Sequence, residues 1–242
     1  MSLVLFHPEA RYILGMTLQR TFEGIICDYT PYYCEENVWK LCERIQQSSK
    51  AVIQEFYAVF ISNDNKTVAL WKQQASDKEN GLIVWVVKAC LASFALIIYS
   101  IGYNNYKHTC DAIICHDYHV ILIRKASNLV SVFDFDSQLQ FPCTFYDYVT
   151  HGLRPDDELQ KQFQRLFRVI PALDFLETFA SDRSHMKTTK DSNTYLKAPP
   201  PYPPIFTKDC SMNLPQFIKM ELTSVPGQIL NYENFLHFFR SD

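Results

Sequence analysis

Basic residues are not in excess in this chain of 242 residues: 23 lysines and arginines stand against 26 aspartates and glutamates, a formal net charge of −3. With no basic footprint, nucleic acid is not expected as the main partner. A CxxC pair is missing as well, and the eight cysteines fall at irregular intervals, so a disulfide framework is not implied. Nor is a secretory leader expected: the apolar start at residues 3–6 is short and lacks both a basic lead-in and a small-residue cleavage site. Reduced thiols in the cytosol or nucleus are the expectation. No internal repeat is visible. What is present is 48% apolar residues with mixed charge, a composition that is neither disordered nor coiled-coil. The length is enough for a single domain with a proper core.

One segment stands apart. Residues 82–103 are almost wholly apolar and reach the roughly 20 residues that a membrane span needs. Lys88 lies inside the run, and strand-like words flank it on both sides. A spanning helix there would tear the sheet apart, so membrane association is not expected.

Residues 34–47 carry Val38, Trp39, Leu41, Cys42 and Ile45 at helical spacing, which predicts a helix with one buried face. Residues 56–62 read as a strand, Asn63, Asp64 and Asn65 as a turn, and residues 67–72 as the returning strand of a hairpin. Residues 113–123 and 129–135 read as an adjacent strand pair joined by a polar turn at 124–128. Residues 156–180 hold a helical rhythm, one or two helices interrupted near Pro171. A polar loop at 181–192 and a proline-rich stretch at 198–205 follow. Residues 230–239 predict a short amphipathic helix introduced by Asn231 and Glu233. A helix followed by an antiparallel sheet makes an α+β layered fold, one domain over 1–242 with 1–30 unassigned.

Three residues carry the chemistry. Cys34 opens the first predicted helix, where unpaired N–H groups and the macrodipole favour a thiolate and can hold an oxyanion. Glu35 and Glu36 would repel that thiolate, so they are expected to point away from it. His119 follows, placed to take the thiol proton and return it to a leaving ammonia. Alternation puts it on the face of Asp117, opposite Tyr118 and Val120. Asp134 lies in a strand-like run where a lone carboxylate is costly unless paired, and orienting the histidine would provide that pairing. Asp136 shares its strand face and competes for the role. His116 and His119, beside Cys115 and Asp117, would face opposite sides of a strand, so no metal site is expected. Pro199, Pro200, Pro201 and Tyr202 match the PPxY form read by WW domains, with a rigid connector as the plainer reading.

The words around these residues, Tyr33-Cys34-Glu35-Glu36-Asn37, Asp117-Tyr118-His119-Val120 and Phe133-Asp134-Phe135-Asp136, resemble the protein N-terminal glutamine amidohydrolase family. Further matches are Trp71-Lys72-Gln73-Gln74-Ala75, Phe141-Pro142-Cys143, residues 180–187 and Met212-Asn213-Leu214, so the resemblance runs from about Tyr32 onward. It implies a Cys–His–Asp hydrolase of papain- or transglutaminase-like α+β fold, an antiparallel sheet flanked by helices. The implied reaction converts an N-terminal glutamine of a protein to glutamate with loss of ammonia, feeding the N-degron pathway. It implies no cofactor, a monomer, and peptide or protein substrates in the cytosol and nucleus. The implied triad falls on Cys34, His119 and Asp134, which places Asp134 ahead of Asp136. Residues 181–187 are expected to wall the pocket for the free α-ammonium. The chain departs from the family in one place: residues 86–116 separate Trp85 from Asp117, splitting an otherwise continuous Trp-Asp-Tyr-His-Val word. Residues 113–116 are a candidate replacement for the strand at 82–85, keeping His119 in register.

Overall fold

The word FYAVFIS has no polar alternation because both of its faces are covered: six of its seven residues are buried. In the computed structural model, which describes residues 20–49, 52–76, 80–86, 118–189, 192–221 and 224–240, this word is the strand β3 (Phe56–Ser62). Both edges of β3 are paired. On one side lies β6 (His119–Ala126), in the register Phe60↔Val120, and on the other β9 (Leu166–Pro171), in the register Phe60↔Arg168. β7 (Leu129–Phe133) and β8 (Cys143–Thr144) extend the sheet beyond β6, and β10 (Gln228–Asn231) extends it beyond β9. The result is an antiparallel sheet in the order β10-β9-β3-β6-β7-β8.

Helix α1 (Cys34–Ser48) covers one face. Its Val38, Leu41, Cys42 and Ile45 pack with Ala58, Phe60, Val120, Leu122 and Phe133. The short helices α2 (Ala172–Thr178) and α3 (Leu214–Ile218) close the same layer through Phe175 and Phe217, whose rings lie 5.7 and 5.4 Å from that of Phe60. Helix α4 (Tyr232–Phe239) covers the opposite face with Phe235 and Phe239 against Val59, Ile121, Phe167 and Val169. Asn231 caps it, as its sequence predicts, by accepting a bond from the Asn234 N–H. This is an α+β fold with helices on both faces of the sheet.

Several expectations are corrected. The strand β4 (Thr67–Leu70) does not return along β3. It pairs instead with β5 (Ile83–Val86) in a separate two-stranded sheet. The reason is that β3 has no edge left to offer, and Asn63 turns the chain away by bonding the N–H and carbonyl of Thr67 at 2.9 and 2.6 Å. Residues 156–180 are not chiefly helical: two 3-10 turns lead into β9, and only α2 is an α-helix. Burial on both faces of residues 167–170 overrides the apparent helical rhythm. The turn at 124–128 shrinks to residues 127 and 128, because Arg124, Lys125 and Ala126 stay paired in β6. Part of the unassigned start is also structured: β1 (Arg20–Phe22) and β2 (Ile25–Cys27) form a hairpin whose Phe22 ring meets Phe133 at 4.8 Å.

Of the apolar run at 82–103, Ile83 to Val86 belong to β5. Leu82 before them is buried, while residues 87–103, together with Asp117 and the proposed replacement strand at 113–116, lie outside the described residues. Among the described residues no helix is long and apolar enough to cross a membrane.

Candidate active site

Asp134 follows directly on β7, and His119 opens the neighbouring β6, so the sheet register brings them side by side. His119 Nε2 lies 2.9 Å from Asp134 Oδ1, and both side chains are 1% exposed. Three further donors complete the carboxylate. The Asp136 N–H reaches Oδ1 at 2.9 Å, while the Tyr148 hydroxyl and the Gln73 amide reach Oδ2 at 2.9 and 3.2 Å. Burial opposes ionisation of Asp134, but the histidine and this ring of donors hold its carboxyl down at about 2. In the other direction, burial works against a charged His119, and the Asp134 carboxylate outweighs it and raises the imidazole above its ordinary value.

The turn that carries Asp134 is tied down from three sides. Arg20 donates to the carbonyls of Asp134 and Ser137 at 3.0 and 3.1 Å, with its guanidinium over the Phe141 ring. The Gln74 N–H donates to the Asp136 carbonyl at 2.7 Å, and the Gln138 side chain donates back to the Gln73 carbonyl at 2.9 Å. The word Trp71-Lys72-Gln73-Gln74-Ala75 therefore serves as the clamp on the aspartate turn. Its position in the chain gave no hint of that role, and neither did those of Tyr148 and Arg20.

Cys34 sits where the helical pattern places it, at the first residue of α1, half-buried. Its sulfur lies close enough to the backbone of Val120, the residue after His119, and to the Asp134 and Asp136 carboxylates for each to act on its ionisation. Two expectations fail here. Glu35 does not point away: its Oε2 is 3.7 Å from the Cys34 sulfur. The thiol is also not pulled down by the helix start. Burial, together with the Glu35 and Asp136 carboxylates, pushes it well up, so Cys34 rests as a thiol.

Asp136 stands beside the pair and accepts the Tyr29 hydroxyl at 2.7 Å; burial and the Asp134 charge push its carboxyl up. His119, Asp134 and Asp136 each bring one donor atom within 4.8 Å of the others, a spacing compatible with an ion. Each oxygen of Asp134, however, already accepts two hydrogen bonds, an arrangement suited to positioning a proton carrier. His116 and Cys115, the other metal candidates, lie outside the described residues.

The region 180–205 forms the wall over the start of α1. Arg183 clamps the buried Glu36 with two bonds of 2.8 and 2.7 Å. Tyr202 lays its ring against Arg183 and Lys40, at 5.3 and 4.6 Å, with its hydroxyl oxygen buried. The tyrosine of the PPxY word is thus packed into the fold, which favours the rigid connector over a docking motif. Among the described residues Cys27, Cys34, Cys42, Cys143 and Cys210 are all free thiols.

Comparison with known proteins points in one direction. The profile of the family described as N-terminal glutamine amidase matches residues 29–94 and 97–239. A human protein N-terminal glutamine amidohydrolase is 39% identical over 216 residues, 89% of either chain. The bovine protein of the same name is 38% identical over 216 residues, covering 89% of this chain and 88% of its own. The one from Drosophila melanogaster is 35% identical over 217 residues, covering 89% and 90%.

Proposed function

The chain belongs to the N-terminal glutamine amidase family, and from that premise we propose that it hydrolyses the side-chain amide of an N-terminal glutamine. The products are an N-terminal glutamate and ammonia, and the fold is of the papain or transglutaminase type. The observation that carries the mechanism is the buried His119–Asp134 pair, with Cys34 near enough for the Asp134 charge to act on its thiol.

Because burial and two carboxylates keep Cys34 protonated, His119 acts as a true general base during attack. With Nε2 held by Asp134, Nδ1 is the nitrogen that takes the thiol proton. The sulfur bonds to the amide carbon, and the carbonyl electron pair moves onto oxygen. First-turn N–H groups of α1 stabilise that oxyanion. As the intermediate collapses, the C–N bond breaks and the His119 proton goes to the departing nitrogen, releasing ammonia. A water then attacks the thioester, giving a proton to His119, and the sulfur leaves as the γ-carboxyl of glutamate forms. The returned proton restores the thiol. Asp134 stays ionised throughout and keeps the ring in the required orientation and tautomer.

An exposed N-terminal glutamate would hand the product to the N-degron pathway. We place this step in the cytosol and nucleus, carried out by a monomer. The test is mass spectrometry of a glutamine-starting peptide incubated with the purified chain, with Cys34→Ala and a version lacking residues 86–116 alongside. Conversion by the full chain, lost in Cys34→Ala, is the expected result. Conversion by the shortened version alone would make the 242-residue form inactive, and conversion by neither would sink the reading.

A further inference from the structure

Four acidic side chains surround the start of α1, and three of them are satisfied. Glu36 is clamped by Arg183, Asp134 takes four donors, and Asp136 holds the Tyr29 hydroxyl. Glu35 is the exception. It is 0% exposed, and its Oε2 takes the Tyr118 hydroxyl at 2.8 Å. Its Oε1 is buried without a hydrogen bond among the described residues. His185 Nε2 stands 3.6 Å away, within ion-pair but outside hydrogen-bond distance, and among the described residues neither of its ring nitrogens has a hydrogen-bond partner. Burial pushes the Glu35 carboxyl up, yet the attraction of His185, its own backbone N–H and Tyr118 bring it below the ordinary value, so it is an anion. A buried carboxylate with an idle oxygen is costly unless it has a purpose.

We propose that Glu35 is the receptor for the substrate's α-ammonium, and so the residue that restricts the enzyme to a chain start. This rests on the amidase reading above. The geometry closes. In an N-terminal glutamine the ammonium nitrogen lies four bonds from the reacting amide carbon, at most about 5 Å by ordinary bond lengths. The amide carbon must come to about 3–3.5 Å from the sulfur for attack, and Glu35 Oε2 is itself 3.7 Å from that sulfur. An ammonium at ordinary hydrogen-bond distance from the carboxylate therefore leaves the side-chain amide over Cys34. An internal or acetylated glutamine has no cation to offer, and its chain would leave Glu35 buried and unpaired.

A second consequence concerns the nucleophile. The charged groups acting on the Cys34 thiol are Glu35 on its own helix and Asp134 and Asp136 on the turn after β7, with His119 on β6 as the proton acceptor. An ammonium seated on Glu35 cancels the nearest of the repelling charges, so the correct substrate helps to ionise the thiol that attacks it.

Two measurements test this. The first compares kcat/KM for a glutamine-starting peptide and for the same peptide lacking only the α-amine, with a desamino glutamine at its start. The wild type should favour the amine by roughly 10³-fold or more, since a site built to pair a polar group rejects the analogue that lacks it. In Glu35→Gln the preference for the amine substrate should fall at least about tenfold, whatever rate change the two substrates share. A preference that stays at the wild-type level while both substrates slow equally would overturn the assignment and leave Glu35 structural. The second measurement needs no turnover and no variant: the rate of iodoacetamide labelling of Cys34 near neutral pH, with glycinamide or acetylglycinamide added. Acceleration by glycinamide alone supports the receptor, and no difference between the two overturns it. Failure of the amidase reading shows separately, as no conversion of any glutamine peptide by the wild type.

Discussion

Asp134 is worth more to this site than its single charge suggests, because its four hydrogen bonds fix the imidazole on one side and the turn on the other. In Asp134→Asn the ring loses its counter-charge and its fixed orientation, and kcat/KM should fall by about 10³-fold or more, the scale for orienting carboxylates in triads. The pH profile carries the sharper signature. In the proposed mechanism His119 must be neutral to act as a base, and Asp134 raises its value, so activity should be lost as pH falls through that raised value. Removing the carboxylate should move the acid limb to lower pH, measurable in the residual activity of the variant. An unchanged limb would mean that another group sets it. At this scale the sequence was informative about identity and poor about environment. Residue type offered Cys34, His119 and either Asp134 or Asp136, the family resemblance chose Asp134, and the fold sets His119 against Asp134; the position of Glu35 beside the sulfur was not legible. Helical spacing alone puts position 35 about 100° around from position 34, and only the packing of Tyr118 and His185 shows where its carboxylate ends.

Among the elements, the pairing of β4 with β5 positions the site through a close backbone approach. Gly81 sits at φ +67°, and a Cβ there would come within 2.6 Å of the Lys72 Cα. The neighbouring backbone bonds, from the Gln73 N–H to the Gly81 carbonyl and from the Lys72 N–H to the Asn80 carbonyl, hold the segment that presents Gln73 to Asp134. Gly81→Ala should therefore lower stability by about 1–3 kcal/mol, the range for strained backbone sites. It should also lower activity beyond what the melting temperature explains; a loss of stability with full kcat/KM would show that Gln73 is not needed at Asp134. Helix α1 was readable from its periodicity and α4 from its cap and apolar face. β9 was misread as helix because a strand buried on both faces shows no period of two. The hairpin predicted for β3 and β4 failed because neighbours in sequence pair only where an edge remains open.

For the molecule as a whole, the buried His119–Asp134 pair bears on acid stability. Asp134 sits at about 2 in the folded chain against an ordinary 3.8. Its folded value is depressed, so its contribution is present in full above roughly pH 4 and is lost as pH falls toward 2. The shift corresponds to about 2 kcal/mol. Urea midpoints measured across that window should fall more steeply in the wild type than in Asp134→Asn; parallel curves would show that the buried pair contributes nothing to acid stability.

Taken alone, the amino-acid sequence determined the α+β class, the first and last helices and, through its separated words, the family, and it singled out Cys34, His119 and Asp134 as candidates. Each of these depends on local spacing or on residue type, which one dimension records. Only the tertiary structure decided which strands share an edge, which side chains clamp Asp134, that the thiol is pushed up rather than down, and that Glu35 is buried beside it with one oxygen idle. Those properties depend on what is excluded from water and on groups far apart in the chain, such as Arg20, Gln73 and Tyr148 around one carboxylate, and no local pattern in the sequence encodes them.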